Sequence, residues 1–316
     1  MKPIVDNPQL LTPHYARYRN QLCQNDPQLE NRLQAGRMEP ALFAKLIPHY
    51  DLLLLDAFGV LNRGAEAIAG AASRVAQLQH EKRAMLVLSN NASQSPERLT
   101  RQLHTMGFTI PQQDILTSGM AIQPFVADTP FRDLPYYLVG TADSEAAYAP
   151  DPARLCVNHR PGDGWQAARY ILLCSNRSYY GSSQQQQVEW LLHNRPLPVL
   201  LANPDLVTPD AAGGLSVVAG YTAAEWFQRF QTPWVGIGKP FAPIFALARH
   251  RFPHIPPQRI LMVGDTLDTD ILGGAAAGFA TCLTLSGATP GAGESLESLV
   301  TQRGIRPDYV VQSIAD

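Results

Sequence analysis

Charge is scarce in this 316-residue chain: Asp, Glu, Lys and Arg make up 16% of it, and the formal net charge is -2. A protein that grips a nucleic-acid backbone needs a basic stripe, and none is present, so nucleic acid is not an expected partner. Cysteine is scarce too. Cys23, Cys156, Cys174 and Cys282 are widely spaced, with no CxxC pair and no Cys/His cluster. That argues against a structural zinc and for reduced thiols in a cytoplasm. No apolar run approaches the roughly 18 residues that cross a bilayer. The opening "MKPIVDNPQLLTPHYARYRN" is broken by prolines and has no apolar centre, unlike a signal peptide. A soluble, cytoplasmic protein with no membrane partner is expected. Nucleotide-cradling motifs are also missing. "GIGKP" has Pro after its Lys and is no P-loop, no GxGxxG follows a strand, and "GGAAAG" at 273–278 has the wrong spacing. His250 and His254 flank Pro253 without the Glu of a zincin, and are expected at the surface. "NAS" and "NRS" match glycosylation sequons but mean little without a secretion signal.

What the chain has instead is apolar residues, 45% of the total, enough for one large or two modest buried cores. Residues 1–48 are polar and mixed in charge, and are expected to form a helical extension packed on the main domain. "YDLLLLDA" and "RAMLVLSNN" are short continuous apolar runs, the pattern of strands buried on both faces. Between them "AEAIAGAASRVAQLQHEK" has helical spacing; after them "SPERLTRQLHTMG" reads as a capped helix and "DILTSG" as a third strand. This alternation implies a Rossmann-like α/β fold with a parallel sheet, whose ligands lie beyond the carboxyl ends of the strands. From about 134 to 214 the texture changes. Strand candidates "YYLVG", "ARYILLCSN" and "LPVLLANPD" and the helix "SQQQQVEWLLHN", with "QQQQ" as its solvent face, suggest an inserted α/β domain. The first pattern resumes over 215–316 with helix "TAAEWFQRF", turn "GIGKP", strand "RILMVGD", helix "TDILGGAAAG" and strands "TCLTLSG" and "PDYVVQS". The core is thus expected in two pieces, 49–133 and 215–316.

Four strand-end or turn sites carry chemical groups: Asp56, Ser89-Asn90-Asn91, Lys239, and Asp265 with Asp270. Singly, each has a plain reading as a cap, loop or turn residue. Jointly, a nucleophilic carboxylate, a hydroxyl, a lysine and a carboxylate pair form a kit for phosphoryl transfer. Carboxylates hold Mg²⁺ through oxygen, cations neutralise phosphate charge, and the hydroxyl and loop N–H groups hold the phosphoryl oxygens in line.

In this order the residues resemble the haloacid dehalogenase (HAD) superfamily. "LLLLDAFGVLNRG", "LVLSNNAS", "GKP" and "VGDTLDTDI" are similar to its four motifs, and "LTLSGAT" and "PDYVVQSIAD" to its type IIA branch, the p-nitrophenyl-phosphatase-like and N-acetylglucosamine-catabolism phosphatase-like enzymes. The resemblance covers about residues 48–316. It implies a HAD core with an inserted α/β cap, Mg²⁺ as cofactor, a small phosphorylated metabolite as substrate, and a homodimer through the cap. It implies Asp56 as nucleophile and metal ligand, Ser89 as phosphoryl binder, and Asn90 and Asn91 as residues shaping the substrate loop. Lys239 becomes the charge clamp, Asp265 a metal ligand, and Asp270 a support for the metal. Asp268 has no motif counterpart and is expected to face solvent. In the insertion, the "CSNRSYYG" turn offers Arg177 to a substrate, with a plain turn as the other reading.

The chain departs from the pattern at Phe58, where family phosphatases carry the aspartate that serves as general acid and base. The backbone carbonyl of Phe58 still implies a metal ligand; its side chain moves no proton. Three readings stay open: a phosphatase that is slow or suited to good leaving groups, a phosphate-binding protein without turnover, and a haloacid-type hydrolase, since "DAFGVL" also resembles the opening of the dehalogenases. The last makes no use of Asp265 and Asp270.

Overall fold

The structure, a computed structural model, describes residues 11–156, 164–209, 215–287 and 295–316. Contacts divide them into two compact units. Of the described residues, one holds those from Leu11 to Ser89, Pro96–Leu116 and those from Pro240 to Asp316; the other holds Asn90–Ser95 and those from Thr117 to Lys239.

The first unit is built on a seven-stranded sheet in the order Glu39–Pro40, Tyr309–Val311, Ala280–Thr284, Ile260–Gly264, Leu52–Leu55, Met85–Ser89, Ile115–Thr117. Strand Leu52–Leu55 pairs in parallel with Ile260–Gly264 on one side and Met85–Ser89 on the other. All four leucines are buried, each stabilising by roughly 1.5–3 kcal/mol relative to exposure. Leu53 and Leu55 join Val75, Leu78, Val87, Leu261 and Val263 in one apolar cluster. From Leu52–Leu55 the chain moves outward through Met85–Ser89 and Ile115–Thr117, then returns to the opposite side through Ile260–Gly264. The two central strands therefore flank a switch point, where a crevice opens at their carboxyl ends. Asp56 and Asp265 are the residues just past those two ends.

The expected N-terminal helices are Thr12–Asn25 and Leu29–Ala35, and Tyr15, Tyr18, Leu29 and Leu33 are their buried residues. One difference from the sequence reading concerns "TDILGGAAAG". It begins not as an α-helix but as a π-helical turn, Leu267–Ile271, that continues as the α-helix Leu272–Ala276. The carbonyl of Thr266 accepts from the N–H of Asp270 at 3.1 Å and of Ile271 at 3.3 Å. Such turns widen a helix by one residue and occur often at functional sites.

The second unit has a four-stranded parallel sheet in the order Trp234–Gly236, Val199–Leu201, Tyr170–Leu173, Tyr136–Val139. Helix Ser183–Asn194 has the expected bounds. Its glutamines are not all at the solvent face: Gln184 is buried and donates to the carbonyl of Leu138 at 3.2 Å. Helix Ala219–Phe230 places Ala223 and Trp226 in this unit's core, and Trp234–Gly236 pairs with Val199–Leu201, so both elements lie with this sheet although they follow residue 214. No helix of the described residues is long and apolar enough to cross a membrane. Among the described residues Cys23, Cys156, Cys174 and Cys282 are free thiols.

Candidate active site

The first unit brings three of the predicted residues to one point. Ligand-capable atoms of Asp56, Asp265 and Asp270 lie within 4.8 Å of one another, and all three residues are buried. The sheet and the turn after it impose this. Asp56 donates its N–H to the carbonyl of Val263 at 2.9 Å, continuing the ladder one residue beyond the strand, and its Oδ1 accepts from the N–H of Ala57 at 2.7 Å. Asp265 directly follows the neighbouring strand Ile260–Gly264. Asp270 folds back across the π-helical turn, its Oδ2 accepting from the N–H of Thr266 at 3.1 Å, while the Thr266 hydroxyl donates to Asp265 Oδ1 at 3.2 Å.

Three glycines make room for the carboxylates. A Cβ at Gly59 would fall 2.2 Å from Asp265 Oδ2, one at Gly287 would fall 2.0 Å from the same atom, and one at Gly264 would fall 2.1 Å from Asp270 Cγ. Gly59 also has φ +82°, a left-handed backbone that L side chains resist. The loops carrying Gly59 and Gly287 are tied together, since the Ser286 hydroxyl donates to the carbonyl of Gly59 at 2.7 Å. Neither glycine has a role that the sequence pattern alone assigns.

Three ionised carboxylates this close repel one another by about 3 kcal/mol per pair at an effective dielectric of about 20. A shared cation offsets that repulsion, and an all-oxygen donor set suits a hard divalent ion. The residues present therefore fit a divalent metal.

Asp268 corrects an expectation. It is buried, with Asp268 Oδ2 3.4 Å from Nε of Arg303. Burial pushes its carboxyl up to about 6, against the pull of the Arg303 charge. The signal was hidden because its partner lies in helix Leu296–Arg303, far along the chain.

Ser89 is the last residue of its strand and is buried. Phe58 is half-buried in the turn after Asp56, which closes when the N–H of Gly59 donates to the carbonyl of Asn62 at 2.8 Å. In the second unit Asn90 brackets Lys239. Its Oδ1 accepts from the N–H of Lys239 at 2.7 Å, and its Nδ2 donates to the Lys239 carbonyl at 3.0 Å and to Asp205 Oδ1 at 2.8 Å. Lys239 is itself 2% exposed. Asn91 shapes its own loop, its Oδ1 accepting from the N–H of Ser93 at 2.9 Å. Arg177 is exposed in the turn after Tyr170–Leu173, where its N–H donates to the Ser175 hydroxyl at 3.3 Å.

Comparison with known proteins identifies relatives of the chain. Residues 53–149 match the haloacid dehalogenase-like hydrolase family, and residues 236–316 match the HAD-hydrolase-like family. The chain is 29% identical over 303 residues to a glycerol-3-phosphate phosphatase of Gallus gallus, covering 89% of this chain and 95% of that protein. It is 27% identical to a dihydroxyacetone phosphatase of Corynebacterium glutamicum, covering 83% and 89%. A crystal structure from Cytophaga hutchinsonii, described as a possible sugar phosphatase of the HAD superfamily, superposes with a TM-score of 0.77 at 25% identity, covering 88% of this chain and 99% of that one. With its switch-point carboxylates, its parallel core sheet and its inserted α/β cap, the chain belongs to the haloacid dehalogenase superfamily of hydrolases, in the type IIA branch.

Proposed function

We propose that this protein is a Mg²⁺-dependent phosphatase that cleaves a small phosphorylated metabolite through an aspartyl-phosphate at Asp56. The observation that carries the proposal is the buried trio Asp56, Asp265 and Asp270. The names of two relatives, glycerol-3-phosphate phosphatase and dihydroxyacetone phosphatase, support phosphoric monoesters of a small polyol or sugar fragment as the substrate class.

In this reading Asp56, Asp265, Asp270 and the backbone carbonyl of Phe58 hold the cation. When bound, the cation supplies neutralisation of phosphoryl charge that would otherwise repel an attacking carboxylate. An oxygen of Asp56 attacks phosphorus; the bond from phosphorus to the ester oxygen breaks, and that oxygen leaves with a proton from solvent or as a stable anion. Water then attacks the phosphorus of the acyl phosphate, releasing inorganic phosphate and restoring Asp56. Ser89 holds a phosphoryl oxygen, Lys239 supplies a fixed positive charge, and Asn90 and Asn91 hold the loops in shape. Arg177 is the candidate for contact with the rest of the substrate. Because Phe58 neither donates nor accepts a proton, the roughly 10²–10⁴-fold that a general acid and base contributes is missing, and aryl and acyl phosphates are the favoured substrates.

The same reading takes the protein as cytoplasmic and as a homodimer through its cap, which light scattering of wild type and a cap-surface variant checks. The test of function is release of phosphate from p-nitrophenyl phosphate and acetyl phosphate, with Mg²⁺ or with EDTA. Phe58 favours a second reading, a phosphate-binding protein without turnover. Silence across a broad phosphate panel together with measurable phosphate binding supports that second reading.

A further inference from the structure

The two N-terminal helices precede residue 53, where the family match begins, yet the first packs against the π-helical turn and the second against the helix that continues it. The ring of Tyr15 lies 5.4 Å from the guanidinium carbon of Arg303, and Arg303 Nε is 3.4 Å from Asp268 Oδ2. The side chains of that ion pair are only 11% and 8% exposed. Asp268 sits inside the π-helical turn that starts just after Asp265 and carries Asp270. Tyr18, edge-on to Tyr15 at 6.0 Å, meets the ring of Phe241 at 5.3 Å, and Phe241 follows Lys239 by two residues. The second helix completes the contact: Arg32 Nε donates at 3.0 Å to the carbonyl of Ala275, in the helix that continues the π-helical turn. Arg19 pairs with Glu30 and so ties the two helices together.

We propose that the N-terminal helices act as a positioning brace for the metal site, through the relay Tyr15–Arg303–Asp268. A π-helical turn is a less favourable local geometry than an α-helix and persists only when its surroundings hold it. Here the buried Asp268 ties the turn to Arg303. Its charge stays in place because Arg303 offsets it, and Arg303 is in turn held in position against the face of Tyr15. Slack in the relay lets the turn relax and moves the Asp270 carboxylate away from Asp56 and Asp265. Asp268, Arg303 and Tyr15 are thus positioning residues: none is proposed to touch substrate. This inference rests on the reading of the three carboxylates as a divalent-metal site.

The test uses the full chain and Mn²⁺ alone, with bound and free ion separated by electron paramagnetic resonance, on wild type, Arg303→Met, Arg303→Lys and Tyr15→Leu. Outer partners of metal ligands typically change metal affinity by about 10–100-fold when removed. The Mn²⁺ dissociation constant is expected to rise by about 10-fold or more in Arg303→Met, to rise less in Tyr15→Leu, and to stay near wild type in Arg303→Lys, which keeps the charge. Melting temperature without metal is recorded alongside. A lower melting temperature with Mn²⁺ affinity within twofold of wild type in Arg303→Met and Tyr15→Leu overturns the brace and leaves the metal site standing. If Arg303→Met does not fold, Tyr15→Leu decides by the same criterion. Wild type that binds no Mn²⁺ overturns the metal reading and the brace with it.

Discussion

Gly59 lies so close to Asp265 that a Cβ placed on it would fall 2.2 Å from the carboxylate oxygen Oδ2. The glycine belongs to the turn after strand Leu52–Leu55 and the aspartate follows the neighbouring strand Ile260–Gly264, so a side chain at Gly59 would displace one member of the carboxylate trio. A Cβ on Gly287, in a third loop, would fall 2.0 Å from the same oxygen. The two substitutions separate geometry from backbone strain. Gly59→Ala meets both the collision and a left-handed backbone at φ +82°, whereas Gly287→Ala meets only the collision. Both variants are expected to need at least about 10-fold more Mg²⁺ for half-maximal phosphate release, and Gly59→Ala is also expected to melt lower. An unchanged Mg²⁺ requirement in Gly287→Ala contradicts this account of the glycines.

On the proposed reading, Phe58 stands where an acid would protonate the leaving oxygen. Phe58→Asp is therefore expected to raise turnover of alkyl phosphates such as glycerol phosphate by up to about 10²–10⁴-fold, with a smaller gain on p-nitrophenyl phosphate, whose leaving group needs no proton. Steady-state rates on the two substrates provide the check. Equal or lower rates on the alkyl ester sink the idea that a missing acid limits the enzyme.

Asn90 uses both ends of its amide, on the backbone of Lys239 and on the Asp205 carboxylate. Asn90→Ala removes all three of these bonds, two of them to the buried backbone of Lys239, and is expected to cost roughly 1–3 kcal/mol. Asn90→Asp is expected to be worse, because it sets a second carboxylate beside Asp205 in place of a donor. Thermal melting ranks the three proteins, and an Asn90→Asp protein more stable than Asn90→Ala contradicts the assigned bonds.

Much of the fold was legible because the pattern is local. Four leucines ended by Asp56, or "MLVL" ended by Ser89, are buried parallel strands with chemistry at their tips, and helix Ser183–Asn194 could be bounded from its own residues. What stayed hidden depends on distant partners. Helical periodicity does not separate an i→i+4 turn from the i→i+5 turn at Leu267–Ile271; the choice follows from Asp270 bonding back to Thr266. Asp268 reads as solvent-facing until Arg303 is placed beside it. Trp234–Gly236 is too short to show its own pattern, and only pairing with Val199–Leu201 reveals it as a strand of the second sheet. The roles of Gly59 and Gly287 likewise emerge only when three loops converge on Asp265.

A pH dependence follows from Glu225 in the cap. Burial raises its carboxyl above the ordinary value of 4.5, outweighing the Tyr180 hydroxyl, which donates to it at 2.7 Å, and the charge of Arg229. A raised folded-state value means the folded protein holds the proton more tightly than the unfolded chain does. The associated stability is therefore complete below 4.5 and is lost as pH rises through the raised value. Glu225→Gln keeps an acceptor for Tyr180 and removes the ionisation. It is expected to melt higher than wild type at pH 7, with the gap closing toward pH 4. Melting curves across that range check the sign; a gap that widens on acidification contradicts it.

The central claim is that Asp56 attacks phosphorus with a divalent cation beside it. Its most direct measurement is phosphate release from p-nitrophenyl phosphate by the purified chain, with Mg²⁺ and with EDTA, in wild type and in Asp56→Asn. The account predicts release by wild type with Mg²⁺ only, and none from Asp56→Asn under either condition. Release that survives EDTA, or that persists in Asp56→Asn, contradicts it.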